Sequence, residues 1–219
     1  YCEQGFNVIS CGRNETQLAA MADKAYLTCA FDMTQAQEIT ASTQAITDID
    51  ILLLSAGNCR YIDDAQQFDG ELFADVITTN LVSIGWLLKS LLPKVNDGGQ
   101  VVLVSSSATI LPFPRSEAYG ASKAGMDYLA NSLRLDLVDK DISVSLVHPG
   151  FIKTPLTDKN DFAMPFLLSS EEAALRIAKG IKAKKNYIHF PKRLTLILKL
   201  FAFLPASLWQ ALILRKHNA

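Results

Sequence analysis

The chain has 219 residues, of which 49% are hydrophobic and 20% charged, and this composition is typical of a folded protein rather than a disordered or fibrous one. A chain of this length buries about 70% of the surface that its unfolded form exposes, so it needs neither disulfides nor a metal for stability. Its formal net charge of -1 predicts no general attraction to nucleic acid.

Predicted strands alternate with predicted helices along the chain. Apolar and β-branched runs predict six strands, at residues 7–11, 26–31, 49–55, 100–105, 142–147 and 187–190. Helical patterns predict helices at residues 15–24, 35–47, 119–140 and 170–183, and a long helical region that ends at Lys94. The alternation predicts an α/β fold, a doubly wound parallel sheet of the Rossmann-like kind with helices on both faces.

Residues at the predicted helix ends support these boundaries. Side-chain oxygens that cap helix N-termini are offered by Asn14, Thr34 and either Ser169 or Ser170. Gly98 and Gly99 are expected to end the long helical region before the fourth strand. Because the carboxyl ends of parallel strands meet at one edge of a sheet, we expect the polar segments that follow the strands to form the functional site there.

Cysteine usage indicates the compartment. The four cysteines lie far apart without CxxC spacing, at Cys2, Cys11, Cys29 and Cys59. Three of them fall in apolar or strand-like runs, where cysteine acts as a small hydrophobic residue. The pattern predicts reduced thiols and a cytoplasmic protein, and no secretory signal is visible at the start of the chain.

Tyr119 and Lys123 are four residues apart on a predicted helix, so their side chains share one face about one turn apart. A tyrosine with its ordinary pKa near 10 is a poor base at neutral pH, and a nearby ammonium group favours its phenolate form. The pair therefore predicts an acid/base catalyst, although the spacing alone occurs on any helix. Small residues flank the pair in AYGASKAG and would let a ligand approach closely.

The run YGASK, with Ser106 thirteen residues before Tyr119 in VSSSAT, resembles the signature of the short-chain dehydrogenase/reductase family. Other segments resemble further motifs of that family in its order: FDMT at 31–34, LSAG at 54–57, Asn80 in its helix, and HPGFIKT at 148–154. The resemblance spans about Asn7 to Thr154. It implies a Rossmann-like oxidoreductase that passes hydride between a nicotinamide cofactor and a carbonyl or alcohol.

The resemblance also implies roles for four residues. Tyr119 would exchange a proton with the substrate oxygen, and Lys123 would hold the nicotinamide ribose and lower the tyrosine pKa. Ser106, preferred over Ser105 and Ser107 by its spacing, would hydrogen-bond the reacting oxygen. Asn80 would hold a water in a proton relay. Taken alone, Ser106 is equally typical of a turn and Asn80 of a polar helix residue.

Cofactor preference is predicted from CGRN at 11–14. An aspartate at this place binds the ribose of NAD, whereas an arginine pairs with the 2′-phosphate of NADP. Gly12 replaces the aspartate and Arg13 follows it, which favours NADP over NAD, although Arg13 is also compatible with a solvated surface residue. The resemblance implies further cofactor contacts from Asp32, Met33, Ser55, Ala56, Gly57, Pro149, Gly150, Ile152 and Thr154.

The chain departs from the family pattern at its start. The glycine-rich loop that presents backbone N–H groups to the cofactor pyrophosphate has no counterpart in the sequence. YCEQGFNVISCGRN resembles the end of a first helix that runs into a second strand, so we expect the first strand and this loop to be missing and the chain to be a fragment. Ser55 and Thr109 also differ from the asparagine and glycine of the family.

The last segment, 193–219, is predicted to be an apolar helical tail of the domain formed by 1–192. Pro205 and Lys199 near its middle predict two short amphipathic helices rather than one spanning helix. It would serve as a substrate lid or dimer contact, or attach peripherally to the inner face of a membrane with Trp209 at the interface. Basic flanks suited to anionic lipid are Lys192, Arg193, Arg215 and Lys216. The segment 151–168 is expected to cover the site as a flap.

These observations together predict an NADP(H)-dependent carbonyl/alcohol oxidoreductase with an apolar small-molecule substrate. The helices at 73–94 and 119–140 are expected to form a homodimer or homotetramer. Two alternatives remain open at this stage. One is a non-catalytic binding or membrane-associated protein of the same fold, and the other is a related sugar-nucleotide epimerase or dehydratase, for which the region after Thr154 is short.

Overall fold

The structure is a computed structural model that describes residues 1–217, except for the side chains of Lys159 and of residues 215–217. The described residues form six strands: β1 (Ile9–Gly12), β2 (Leu27–Ala30), β3 (Ile49–Leu54), β4 (Val95–Val104), β5 (Ser143–Pro149) and β6 (Tyr187–Phe190). They also form eight α-helices: α1 (Glu15–Ala19), α2 (Ala36–Thr43), α3 (Gly70–Ile77), α4 (Ser83–Leu91), α5 (Glu117–Asp136), α6 (Ser170–Lys182), α7 (Lys192–Ala202) and α8 (Ala206–His217).

All strand pairs are parallel, which confirms the α/β fold, but the strands form two sheets instead of the expected one. One sheet pairs β1 with β2, and the other has the order β3-β4-β5-β6. The numbers in the doubly wound order 3-2-1-4-5-6 give each strand's place along the chain. In this order β1 corresponds to strand 2, β2 to strand 3 and β3 to strand 4. Strand 1 of that order, which would lie between β1 and β3, has no counterpart among the described residues. The two sheets are therefore not hydrogen-bonded to each other.

Both faces of the four-stranded sheet are covered by helices. Alternate residues of β4 point to opposite faces, so Val101 and Leu103 pack in a core cluster with α2, α4 and α5, whereas Val102 packs with α6 and β6. All three side chains are fully buried. The near-continuous apolar run QVVLV is thus explained by burial on both faces.

Several predicted helix ends are confirmed. The Asn14 side chain accepts a hydrogen bond from the Gln17 N–H at 3.0 Å and caps α1. Ser169 caps α6 in a capping box, since it accepts from the Glu172 N–H while the Glu172 side chain accepts from the Ser169 N–H. The two C-terminal helices are separate, because α7 ends at Ala202 before Pro205.

Two predicted features at helix ends are wrong. Gln35, not Thr34, is the N-cap of α2, because the Thr34 hydroxyl donates to Asp32 instead. The long helical region ends at Lys94 as predicted, although a π-helical turn, Thr78–Val82, interrupts it and its last turn, which contains Pro93, is short. The two glycines expected to end it belong to the next strand. Gly98 and Gly99 therefore lie inside β4, where Gly98 has a φ of 77° and the register with β3 shifts.

One helical stretch of the described residues, Gly70–Lys94, is long and apolar enough to cross a membrane by length and composition. It belongs to the packed core, since Val76 and Ile84 within it are fully buried. Core helices of soluble proteins pass the same test, so this is weak evidence for a span. The tail helices α7 and α8 have 11 and 12 residues, fewer than the roughly 20 that a spanning helix needs.

Candidate active site

The polar segments predicted to converge do follow the carboxyl ends of neighbouring strands. Ser55–Gly57 follow β3, Ser106 follows β4, and Gly150–Thr154 follow β5. Tyr119 and Lys123 lie in the first two turns of α5, which begins at Glu117 on the same side. The side chains of Tyr119, Ser106 and Lys123 are thereby brought to one edge of the sheet, as the sequence predicts.

Tyr119 is partly buried, and its hydroxyl interacts with the Ser106 side chain. Burial raises the pKa of Tyr119 to about 12, and the Ser106 contact opposes this rise without reversing it. The expectation of a lowered tyrosine pKa is therefore wrong for the chain by itself. The phenol carries its proton at neutral pH, which is the form that can donate to a carbonyl oxygen.

Lys123 is buried and aims its ammonium group at the backbone beside the site. Its Nζ donates to the Val104 carbonyl at 2.9 Å and lies 5.9 Å from the centre of the Tyr119 ring. Burial lowers the pKa of Lys123 to about 8. Since Val104 is the last residue of β4, this bond ties α5 to the strand that leads into Ser106.

Ser106 and its neighbour have different roles. Ser106 caps the short turn Ser107–Thr109, where its Oγ accepts from the Ala108 N–H at 3.1 Å. Ser105 is turned away, since its hydroxyl donates to the Lys123 carbonyl at 3.2 Å. The preference for Ser106 stays a prediction, and its Oγ lies near Tyr119 while that of Ser105 is engaged elsewhere.

Asn80 is fully buried inside the π-helical turn, a feature often found at functional sites. Its Oδ1 accepts from the Asn58 N–H at 2.8 Å, and its Nδ2 donates to the Asn58 carbonyl at 2.9 Å and to the Ser122 hydroxyl at 3.0 Å. Asn80 therefore clamps the loop after β3 onto α5. Sequence reasoning missed Asn58 and Ser122, because only the folded chain brings them to Asn80.

Replacing Asn80 by Ala is expected to lower the free energy of unfolding by about 2–4 kcal/mol, because three hydrogen bonds are lost and the Asn58 backbone is left unpaired. Chemical denaturation measures this change. Asn96→Ala is the matched control, since Asn96 makes an exposed hydrogen bond to Asp50 and its loss should cost under about 0.5 kcal/mol. Equal losses in the two variants would contradict the clamp.

Ser55, Ala56 and Gly57 form an exposed surface beside this clamp. A Cβ atom at Gly57 would lie 2.9 Å from the Asn80 Oδ1 and 3.5 Å from the Lys123 Nζ. Only glycine therefore fits between Asn80 and Lys123 at this point. The bare backbone of this turn leaves room for a flat ring and a ribose next to the lysine.

The segment after β5, which begins at Gly150, forms one side of the candidate site. Pro149 is buried at the end of β5, and the Gly150 N–H donates to the Phe190 carbonyl at 2.7 Å. A Cβ at Gly150 would lie 2.9 Å from both Leu194 and Pro191, so this glycine allows the tail to approach. Ile152 pairs with Leu168, and the Thr154 N–H donates to the Thr157 hydroxyl at 3.0 Å.

Arg13 and Asp32 lie at the carboxyl ends of β1 and β2. They form an exposed ion pair of 3.2 Å, and the Arg13 side chain is 80% exposed. Hydrogen bonds from Thr34 and then the contact with Arg13 hold the pKa of Asp32 below its usual value. A Cβ at Gly12 would meet no atom within 4 Å, so this corner is open for a charged ligand. Met33 instead packs against the core.

The segment 151–168, predicted to be a flap, is linked to the loop after β3 by Arg115. The Arg115 guanidinium bridges Asp161 at 2.9 Å and Asp63, which join the flap to the loop after β3. Tyr61 donates to the Asn160 side chain at 3.2 Å and packs edge-on against Phe162. Sequence reasoning missed these contacts, because each one joins residues far apart in the chain.

Comparison with known proteins identifies the family. The model of the short chain dehydrogenase family matches residues 1–164, and an uncharacterized oxidoreductase of Myxococcus xanthus is 30% identical over 220 residues, covering 95% of this chain and 87% of that protein. The chain belongs to the short-chain dehydrogenase family. It is thus an oxidoreductase of a family that uses nicotinamide cofactors.

Solved structures of other short-chain dehydrogenases share the fold. A short chain dehydrogenase from Burkholderia cenocepacia in complex with NADP has a TM-score of 0.83 at 18% identity and covers 95% of this chain and 86% of its own. One from Burkholderia phymatum in complex with NAD has a TM-score of 0.79 at 18% identity, with coverages of 91% and 85%. At this identity the likeness shows the Rossmann-like fold alone.

Proposed function

We propose that this short-chain dehydrogenase transfers hydride between NADP(H) and a small carbonyl or alcohol compound, with Tyr119 as the general acid or base. The observation that carries the proposal is the position of Tyr119 on α5, near Ser106 and with its ring centre 5.9 Å from the buried ammonium group of Lys123. A proton donor, a second hydroxyl and a cation at one sheet edge suit a carbonyl oxygen that gains negative charge.

The residues have separate tasks in the reduction direction. Ser106 hydrogen-bonds and orients the carbonyl oxygen, and Tyr119 gives it a proton as charge develops. Lys123 holds the nicotinamide ribose and offsets the negative charge left on Tyr119. Asn80 fixes the loop after β3 through Asn58, and a water held near it returns the proton. When bound, the cofactor supplies or accepts the hydride.

The described residues fit a nicotinamide cofactor at several points. The exposed turn Ser55–Gly57 next to Lys123 would hold the adenosine ribose and nicotinamide, and Pro149, Gly150, Ile152 and Thr154 would line the nicotinamide. Asp32 would lie beside the adenine together with the backbone of Met33, whose side chain packs against the core. Arg13 favours NADP, because a guanidinium group pairs strongly with a phosphate. Three solved relatives contain NADP or NADPH and one contains NAD, so Arg13 is the basis of this preference.

Replacing Arg13 by Ala is expected to weaken NADPH binding about 10- to 100-fold and to leave NADH binding nearly unchanged, since only NADPH has a 2′-phosphate for a charged hydrogen bond. Fluorescence titration with each cofactor measures both affinities. Arg176→Ala, which removes an exposed arginine of α6, is the control for net charge. Equal weakening of both cofactors by Arg13→Ala would contradict the assignment to the 2′-phosphate.

We further propose an apolar substrate, because the walls near the site carry Phe113, Phe151 and Phe162 and the apolar inner side of the tail. The exposed apolar residues Tyr128, Leu135 and Val138 along and after α5 support a homodimer or homotetramer. A cytoplasmic location remains part of the proposal.

Loss of NADPH absorbance with a panel of aldehydes and ketones tests the proposed function. The competing hypothesis is a non-catalytic protein of the same fold. It predicts no fluorescence change at millimolar NADPH. Binding with no turnover of any carbonyl compound would favour the epimerase or dehydratase alternative.

A further inference from the structure

The two C-terminal helices expose a continuous series of large apolar side chains. This outer tail face consists of Leu196, Ile197, Leu200, Phe203, Leu204, Leu208 and Leu212. Phe203 is 88% exposed and Leu200 is 67% exposed. Runs of exposed apolar side chains on this scale indicate an interaction surface rather than ordinary surface variation.

Only one side of the tail is used by the fold. Leu194, Leu198 and Trp209 are buried against Leu111. The Trp209 indole N–H donates to the Pro112 carbonyl at 2.8 Å, so the expectation that Trp209 lies at a membrane interface is wrong. The inner side of the tail therefore packs on the domain. The outer tail face has no partner among the described residues.

The spacing of the outer residues gives α7 two apolar sides. Positions 193, 196, 197 and 200 lie on one side of a helix, and positions 194, 195 and 198 lie on the other. Arg193 is exposed at the start of the outer side, whereas Lys199 lies over the Tyr187 ring of the domain at 4.2 Å. A helix that is apolar on both sides and packed on only one needs a second apolar environment.

The charge of the sequence around the tail indicates the nature of that environment. Residues 173–219 contain ten lysines and arginines and no aspartate or glutamate, whereas residues 1–172 contain 11 basic and 22 acidic residues. Lys192 and Arg193 are exposed at the start of α7, whereas Lys184 lies near the amino end of β4, where its Nζ donates to the Gly98 carbonyl at 2.9 Å. A near-neutral chain therefore carries a strongly basic C-terminal segment. The side chains of Arg215 and Lys216 lie outside the described residues.

We propose that the outer tail face docks on the surface of an anionic lipid bilayer. The apolar side chains enter the boundary between head groups and acyl chains, and the basic segment is attracted to the anionic head groups. A symmetric contact between two copies through this face would bring two basic segments together, which costs electrostatic energy. The length of α7 and α8 suits helices that lie in the plane of the surface.

Sedimentation of the full chain with lipid vesicles tests this proposal. We expect binding to vesicles of phosphatidylcholine mixed with phosphatidylglycerol, little binding to phosphatidylcholine alone, and release at high salt. The double variant Leu200→Glu/Phe203→Glu should weaken binding more than about tenfold, because it removes two inserting apolar side chains and adds repelled charges. Both positions are exposed, so the thermal unfolding temperature should stay close to that of the parent protein.

The matched control is Tyr26→Glu/Phe68→Glu, which changes the net charge equally at two positions outside the basic segment that are 72% and 48% exposed. This control should bind anionic vesicles nearly as well as the parent. Three results would overturn the proposal: no binding of the parent to either vesicle, equal loss in both double variants, or a lower oligomer mass of Leu200→Glu/Phe203→Glu without vesicles. The last result would assign the face to a contact between copies. NADPH titration of the same samples keeps vesicle binding separate from the proposed oxidoreductase function.

Discussion

Replacing Tyr119 by Phe is expected to reduce NADPH-dependent turnover about a thousandfold, the scale of a lost general acid, and to leave NADPH affinity nearly unchanged. The change removes one oxygen from a partly buried ring that meets Ser106 and lies near Lys123. The ring itself is kept, so the packing of α5 should survive. Steady-state kinetics and fluorescence titration measure the two effects.

The matched control for this variant is Tyr61→Phe. Tyr61 also lies near the site, and burial also raises its pKa well above the ordinary value for tyrosine. Its hydroxyl donates to Asn160 in the flap and so has a structural partner. We expect a change in turnover of under about tenfold for Tyr61→Phe, the scale of one hydrogen bond. Full turnover by Tyr119→Phe would rule out Tyr119 as the proton donor.

Replacing Lys123 by Met is expected to lower turnover about a hundredfold or more and to weaken NADPH binding. The ammonium group of Lys123 donates to the Val104 carbonyl and lies 5.9 Å from the centre of the Tyr119 ring. Without it, nothing of comparable charge offsets the phenolate that forms when Tyr119 gives up its proton. Turnover and cofactor affinity are measured as for Tyr119→Phe.

The pH dependence gives Lys123 a second test. Because burial lowers the pKa of Lys123 to about 8, its ammonium form is present below that pH and is lost above it. NADPH affinity should therefore fall as the pH rises through about 8 in the parent protein, and Lys123→Met should lack this fall. Lys94→Met is the control, since the Lys94 ammonium also donates to a backbone carbonyl, that of Thr43, away from the site. An unchanged pH profile in Lys123→Met would contradict the role of this ammonium group.

The sequence predicted a large part of the site, because several of its residues are fixed by local structure. Tyr119 and Lys123 share a helix face because of their spacing alone, and Ser106 lies two residues after the end of the buried strand β4. Their meeting follows from parallel strands whose carboxyl ends share an edge. By contrast, Gly98 and Gly99 were wrongly assigned to a helix end, because a pair of glycines is equally compatible with a helix end and with an irregular strand.

The pKa of Tyr119 shows a different kind of failure. The sequence places a lysine one turn away and so predicts a lowered pKa, but burial of the ring has the larger effect and raises it. Burial of a residue depends on which distant chain segments pack around it, and the local sequence pattern does not show which segments these are. The same reason applies to Trp209, whose amphipathic ring suits a membrane interface until its contact with Pro112 is known.

The sequence by itself determined the family, the α/β alternation and the pair Tyr119 and Lys123, since these depend on residue types and short spacings. Only the tertiary structure decided that the strands form two sheets, that Asn80 clamps Asn58, and that Arg115 fastens the flap to the domain. It also decided which side of the tail is buried. These contacts join residues 22 to 97 positions apart, and such pairings arise from packing the whole chain, which local propensity does not encode.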